Sequence, residues 1–228
     1  ILISFFSYSQ KKNQNDFGNA EIVFDIDGYS PVEIRFNEGS SVTKTNFFNQ
    51  YKAFFGLTND YEFVQVQEFT DQLGQVHYRF NEFYKGVEVL NAQLILHEKN
   101  GVIHYANGKT VHQIEMDVSP LITKQSALQS ALDNIGAEIY KWEIPSNETF
   151  LKNEQKNPDA TFYPNDKLVL TSGSKELGKN NLDLAYRFDI YAEKPLSRNY
   201  VDVNAITGEV VNKVNRIHDA DVPGTGTS

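Results

Sequence analysis

Residues 76–108 read VHYRFNEFYKGVEVLNAQLILHEKNGVIHYANG. Val76, Tyr78, Phe80 and Tyr84 alternate with His77, Arg79 and Asn81, the period-two pattern of a half-buried strand. Asn100-Gly101 lies between two apolar runs. A two-residue type I′ hairpin turn needs positive φ at both central residues, and Asn-Gly meets that need at the least steric cost. With the turn placed there, Lys99 faces Val102, Glu98 faces Ile103, His97 faces His104 and Leu96 faces Tyr105. Leu94, Leu96, Ile103 and Tyr105 are then expected on the core face, with Ile95, His97, His104 and Ala106 on the other.

Outward from this stretch the chain has 228 residues, room for one large domain or two small ones. It holds 16 Phe and 12 Tyr, so an aromatic core is expected. The formal net charge of −9 argues against a nucleic-acid partner, whose phosphates would need a basic patch. With no cysteine there is no disulfide frame, thiolate metal site or nucleophilic thiol. Residues Ile1–Gln10 run from apolar to Ser/Gln-rich and read as the remnant of a secretory signal sequence; a short N-terminal strand is the other reading. No stretch approaches the roughly 20 apolar residues of a membrane span.

Two helices stand out. Phe47, Phe48, Tyr51, Phe54 and Phe55 form one helical face, with Thr43 or Thr45 to cap its start and Gly56 to stop it. Ala127, Leu128, Ala131, Leu132 and Ile135 repeat the pattern from Thr123 to Gly136. Short strands are expected at residues 21–26, 32–36, 61–69, 167–171, 182–190, 200–204 and 210–214, the last two joined by a turn around Gly208. Residues 146–166 are polar with two prolines and read as a long loop or insertion. Tyr78-Arg79-Phe80 recurs as Tyr186-Arg187-Phe188, each after a glycine-stopped helix and before a strand, turn and return strand. That order predicts an internal duplication and an α+β fold. Each of its two similar units is an amphipathic helix packed on an antiparallel β-sheet, in a cystatin/PepSY-like arrangement.

Catalytic chemistry is not visible. His97-Glu98 lacks the second histidine of H-E-x-x-H, and no nucleophile-elbow, phosphate-loop or dinucleotide glycine pattern occurs. His97 and His104 are the best metal suspects, but two imidazoles without a third ligand make a poor zinc site. Glu82 interrupts the apolar alternation; a general base is the functional reading, but no partner is visible, and it reads as an outward carboxylate at a strand end. Asn147-Glu148-Thr149 matches the glycosylation sequon, a pattern common by chance.

The quoted stretch, with H-Y-R-F, Y-K-G-V-E-V and L-I-L-H-E-K-N-G-V-I, resembles the fungalysin/thermolysin propeptide motif. Residues 200–211 (YVDVNAITGEVV) resemble the end of a PepSY domain. Their order is similar to the propeptide of a secreted thermolysin-like zinc metallopeptidase. The resemblance implies a signal remnant at 1–10, an N-terminal propeptide unit at 11–118, a PepSY-like unit at 119–216, and a processing junction with the start of a mature enzyme at 217–228. It implies an intramolecular chaperone and inhibitor whose partner is the linked catalytic domain, secreted and removed by proteolysis, with no catalytic residue or cofactor in this chain. Zinc and calcium are expected in the catalytic domain. The inhibitory segment is expected at Val214, Asn215, Arg216, Ile217 and His218, and the cut among His218, Asp219, Ala220, Asp221 and Val222. A freestanding PepSY-type module inhibiting proteases in trans is the alternative.

Overall fold

The computed structural model describes Phe17, residues 20–25, Gly28 and residues 30–217. Residues 1–10, the expected signal remnant, lie outside these. The chain divides into two compact units, Ile1–Glu115 and Met116–Ser228. The fold is α+β, and its strands pair antiparallel within each unit.

The first unit contains β1 (Ala20–Phe24), β2 (Pro31–Phe36), α1 (Lys44–Phe55), β3 (Tyr61–Thr70), β4 (Val76–Tyr84), β5 (Val87–Lys99) and β6 (Val102–Lys109). Strand order is β1-β2-β6-β5-β4-β3. Thr43 caps α1: its amide donates to Asn46 Oδ1 at 2.8 Å, and Gly56 ends the helix at φ 68°. The aromatic stripe is core. Phe47, Tyr51 and Phe54 are buried, while Phe48 lies 4.6 Å edge-on to Phe80 and 4.8 Å stacked on Phe63. Such offset and edge-on pairs add to the burial of large rings, so the helix is held on the sheet by its aromatic face.

The hairpin turn forms as expected, with Asn100 at φ 55° and Gly101 at φ 79°, and Lys99 pairs with Val102. Beyond it the register differs. A bulge between His97 and Glu98 sets His97 opposite Tyr105 and Leu96 opposite Ala106. An extra residue in one strand reverses the facing of everything past it. Ala106 is therefore buried in the core, Tyr105 moves to the other face beside His97, and His97 does not pair with His104.

The second unit contains α2 (Lys124–Ile135), β7 (Ile139–Tyr140), α3 (Pro145–Gln155), β8 (Asp166–Thr171), β9 (Asp183–Lys194), β10 (Ser197–Asn204) and β11 (Val210–Asn215). Strand order is β8-β9-β10-β11, and β7 pairs with the far end of β9. Thr123 Oγ1 accepts the Ser126 amide at 3.1 Å to cap α2, which packs on β9, β10 and β11 through buried Ala127, Leu128 and Ala131. Residues expected to be loop include α3. It buries no residue, so it has no apolar stripe to be read. Local signals form it instead: Pro145 in the first turn, Thr149 Oγ1 donating to the Pro145 carbonyl, and Lys156 in the left-handed position at its end.

A charged pair links the neighbouring strands β9 and β10. Arg187 donates through Nε and Nη2 to both Asp202 oxygens at 2.6 and 2.8 Å, and Asn212 adds a bond at 3.0 Å. Asp202 is fully buried, so this two-pronged geometry is what makes its charge tolerable there.

Candidate functional site

The expected inhibitory segment begins on the edge of the second sheet. Val214 pairs with Tyr200 and Asn215 with Asn199, and Val214 is exposed. Arg216 follows the strand; its amide donates to the Arg198 carbonyl at 2.7 Å. Its guanidinium donates to Asp189 and lies 4.3 Å from the centre of the Tyr200 ring. Asp189 also accepts the Arg198 fork at 3.1 and 2.8 Å. Ile217 donates its amide to Asn215 Oδ1 at 2.9 Å, an Asx turn that takes the chain off the ladder. His218, Asp219, Ala220, Asp221 and Val222 lie outside the described residues.

On the first unit's sheet, His77 is the true cross-strand partner of His97, with their Nδ1 atoms 2.7 Å apart. His77 Nε2 bonds Asp71 at 3.0 Å and His97 Nε2 bonds Asn107 at 2.7 Å. His104 instead bonds Gln75 at 2.9 Å. Burial holds the His97 imidazole below its usual pKa, and burial followed by Lys99 does the same to His104. Asp71 meets the ring nitrogen of His77 remote from His97, so the three do not converge. Among the described residues no group of three or more His, Cys, Asp or Glu side chains is placed to hold a metal ion.

Glu82 is not an outward carboxylate. It is fully buried, at a point where β4 and β5 slip register between Asn81 and Phe83. Its Oε2 accepts the Val111 amide at 2.8 Å, while Oε1 has no partner among the described residues. Desolvation of the charged form raises its pKa from 4.5 to about 8, against the lowering effect of the Val111 bond. Around it Tyr51 OH lies 3.1 Å from Thr110 Oγ1 and 3.0 Å from His112 Nε2. Tyr61 OH accepts the Ile114 amide at 2.7 Å. Burial first, and Glu82 further down, raise both tyrosines. The amides of the irregular segment after β6 are thus satisfied by side chains from β3, β4 and the loop before β2, where Ser30 Oγ accepts the His112 amide. The strand alternation held the signal: position 82 is in phase with inward Tyr78, Phe80 and Tyr84. The sequon residue Asn147 sits in the first turn of α3 with its amide nitrogen buried and unbonded among the described residues, poorly placed for a bulky sugar.

Comparison with known proteins falls on the same sheet. Residues 61–110 match the Fungalysin/Thermolysin Propeptide Motif, which covers β3 through β6 and closes on Thr110 beside Glu82. The chain is 27% identical over 167 residues to bacillolysin of Bacillus amyloliquefaciens, covering 72% of this chain and 29% of that protein. It is 27% identical over 169 residues to bacillolysin of Bacillus subtilis strain 168, with the same coverage. The chain therefore spans 29% of the length of these curated relatives. Among solved structures, the Bacillus megaterium YpeB C-terminal domain aligns at a TM-score of 0.36 and 12% identity over 81% of this chain and 71% of that one, too distant to bear on the fold. The chain thus carries the propeptide motif over residues 61–110 and is similar to the bacillolysins over 72% of its length.

Proposed function

We propose that the chain acts as the intramolecular chaperone and inhibitor of a linked thermolysin-like zinc metallopeptidase and is removed by proteolysis. The observation that carries this reading is the propeptide motif lying intact on β3–β6, within a likeness to bacillolysins that extends well beyond it. The acidic, aromatic-cored chain has no catalytic role of its own in this reading, and the zinc and calcium belong to the catalytic domain. The precursor is secreted; no described helix is long and apolar enough to cross a membrane.

The two units play as similar modules, the second PepSY-like. The order α1, β3, β4, β5, β6 in one and α2, β8, β9, β10, β11 in the other supports a duplicated helix-on-sheet plan with α3 as an insertion. A preformed sheet offers a template to a partner rich in non-local contacts, whose folding is otherwise slow. Inhibition falls to the segment from Val214 to His218, and processing to the bonds between His218 and Val222.

The test is refolding of the linked catalytic domain from denaturant with and without this chain, followed by titration of the active enzyme with it. Higher yield of active enzyme and inhibition by the added chain are expected. Equal yields and undiminished peptidase activity would sink the proposal. Inhibition of unlinked proteases, with no peptidase domain encoded downstream, would favour the freestanding module.

A further inference from the structure

The last described residues show how the chain leaves the second sheet. At Lys213, Val214 and Asn215 the edge strand β11 is exposed, so little apolar burial holds this end to β10. What holds it is polar. The Arg216 amide makes a bond to the Arg198 carbonyl, and the Arg216 guanidinium reaches across β10 to Asp189 on β9 while lying over Tyr200. Asp189 is thereby shared by Arg198 and Arg216, tying three strands at one point. One residue later Asn215 captures the Ile217 amide and turns the chain away.

We propose that Arg216 is a positioning residue: through Asp189, Tyr200 and Arg198 it fixes the point at which the chain leaves the sheet, and so which of the following peptide bonds a protease meets. This rests on the propeptide reading above. Within it, Val214 and Asn215 are the sheet-anchored start of the inhibitory segment, held in place by this tie. Arginine suits the task because its planar fork grips a carboxylate while its face stacks on a ring; lysine can do only the first, and less well.

The full precursor, carrying Arg216→Ala, Asp189→Asn or Arg216→Lys, tests this. The released pieces are sized by mass spectrometry, and the separated chains are titrated against the catalytic domain. The unaltered precursor is expected to give one dominant cut within residues 217–222. Arg216→Ala and Asp189→Asn are expected to give several neighbouring cuts and about tenfold weaker inhibition, the scale set by losing a charged hydrogen bond. Arg216→Lys falls between. Urea midpoints read from Trp142, the single tryptophan, change little because the exposed end that the tie holds opens without unfolding the unit. One wild-type cut with undiminished inhibition in both variants would overturn the positioning role. So would a midpoint that falls and recovers in step with inhibition across the series, since Arg216 would then only stabilise the unit. An unaltered precursor that is neither cut in 217–222 nor inhibited overturns the propeptide reading itself.

Discussion

Replacing Glu82 by glutamine should stabilise the first unit at neutral and alkaline pH and leave it nearly unchanged in acid. The carboxyl is fully buried with one oxygen unpartnered, and folding raises its pKa from 4.5 to about 8. A group whose folded pKa is raised binds its proton more tightly in the folded state. Its contribution is complete below pH 4.5 and is lost as pH climbs through about 8. At ~1.4 kcal/mol for each tenfold change in proton affinity, the loss across that window is roughly 4–5 kcal/mol, a large share of a small unit's stability. Glutamine keeps the shape and can accept the Val111 amide, but it never ionises. The assay is urea unfolding of both proteins at several pH values, with native-state hydrogen exchange of α1 and β5 amides reporting the first unit. Trp142 lies in the second unit and cannot report it directly. The two stabilities should diverge from about pH 5 to about pH 8 and run parallel above that, with unchanged m-values. Other titrating groups act on both proteins alike and cancel in the difference. Parallel pH profiles, or a glutamine variant equally weakened at every pH, would refute the reasoning.

Removing one partner of the buried pair in the second unit, Asp202→Ala, leaves Arg187 without its carboxylate and should cost roughly 3–5 kcal/mol, read from Trp142 fluorescence in urea. Replacing both by well-packed apolar residues, Arg187→Met with Asp202→Leu, should restore most of that loss. At Gly108, φ is 150° and an added Cβ would stand 2.1 Å from the Gln93 carbonyl oxygen. Gly108→Ala should therefore cost roughly 2–4 kcal/mol and loosen exchange protection of the β5–β6 pairing. His97 is held below its ordinary pKa of 6.5, so its neutral form supports the fold above that pH and the support fades as pH falls below it. His97→Gln should flatten this acid limb of the stability profile, and a variant that follows the unaltered protein below pH 6.5 would contradict it.

Local chemistry alone settled much of the chain. The aromatic stripe ending at Gly56, the Thr123-to-Gly136 helix and the Asn100-Gly101 turn depend on residues a few positions apart, and all three form where their spacing places them. The motif in residues 76–108 was legible for the same reason: it is one continuous run of strand, turn and strand. Tertiary structure decided what depends on distant partners. The bulge beside His97 exchanged the places of Tyr105 and Ala106 because facing is set by pairing across the sheet, not by one strand's alternation. Helix α3 gave no apolar periodicity because it buries none of its residues. Alternation put Glu82 in phase with the core, but its character as a buried acid comes from the dry surroundings and the Val111 amide, 29 residues away. The grip of Asp189 on Arg216 spans 27 residues and two strand connections. Periodicity reaches across one element; desolvation and charge pairing act through space, and only the assembled sheets bring those groups together.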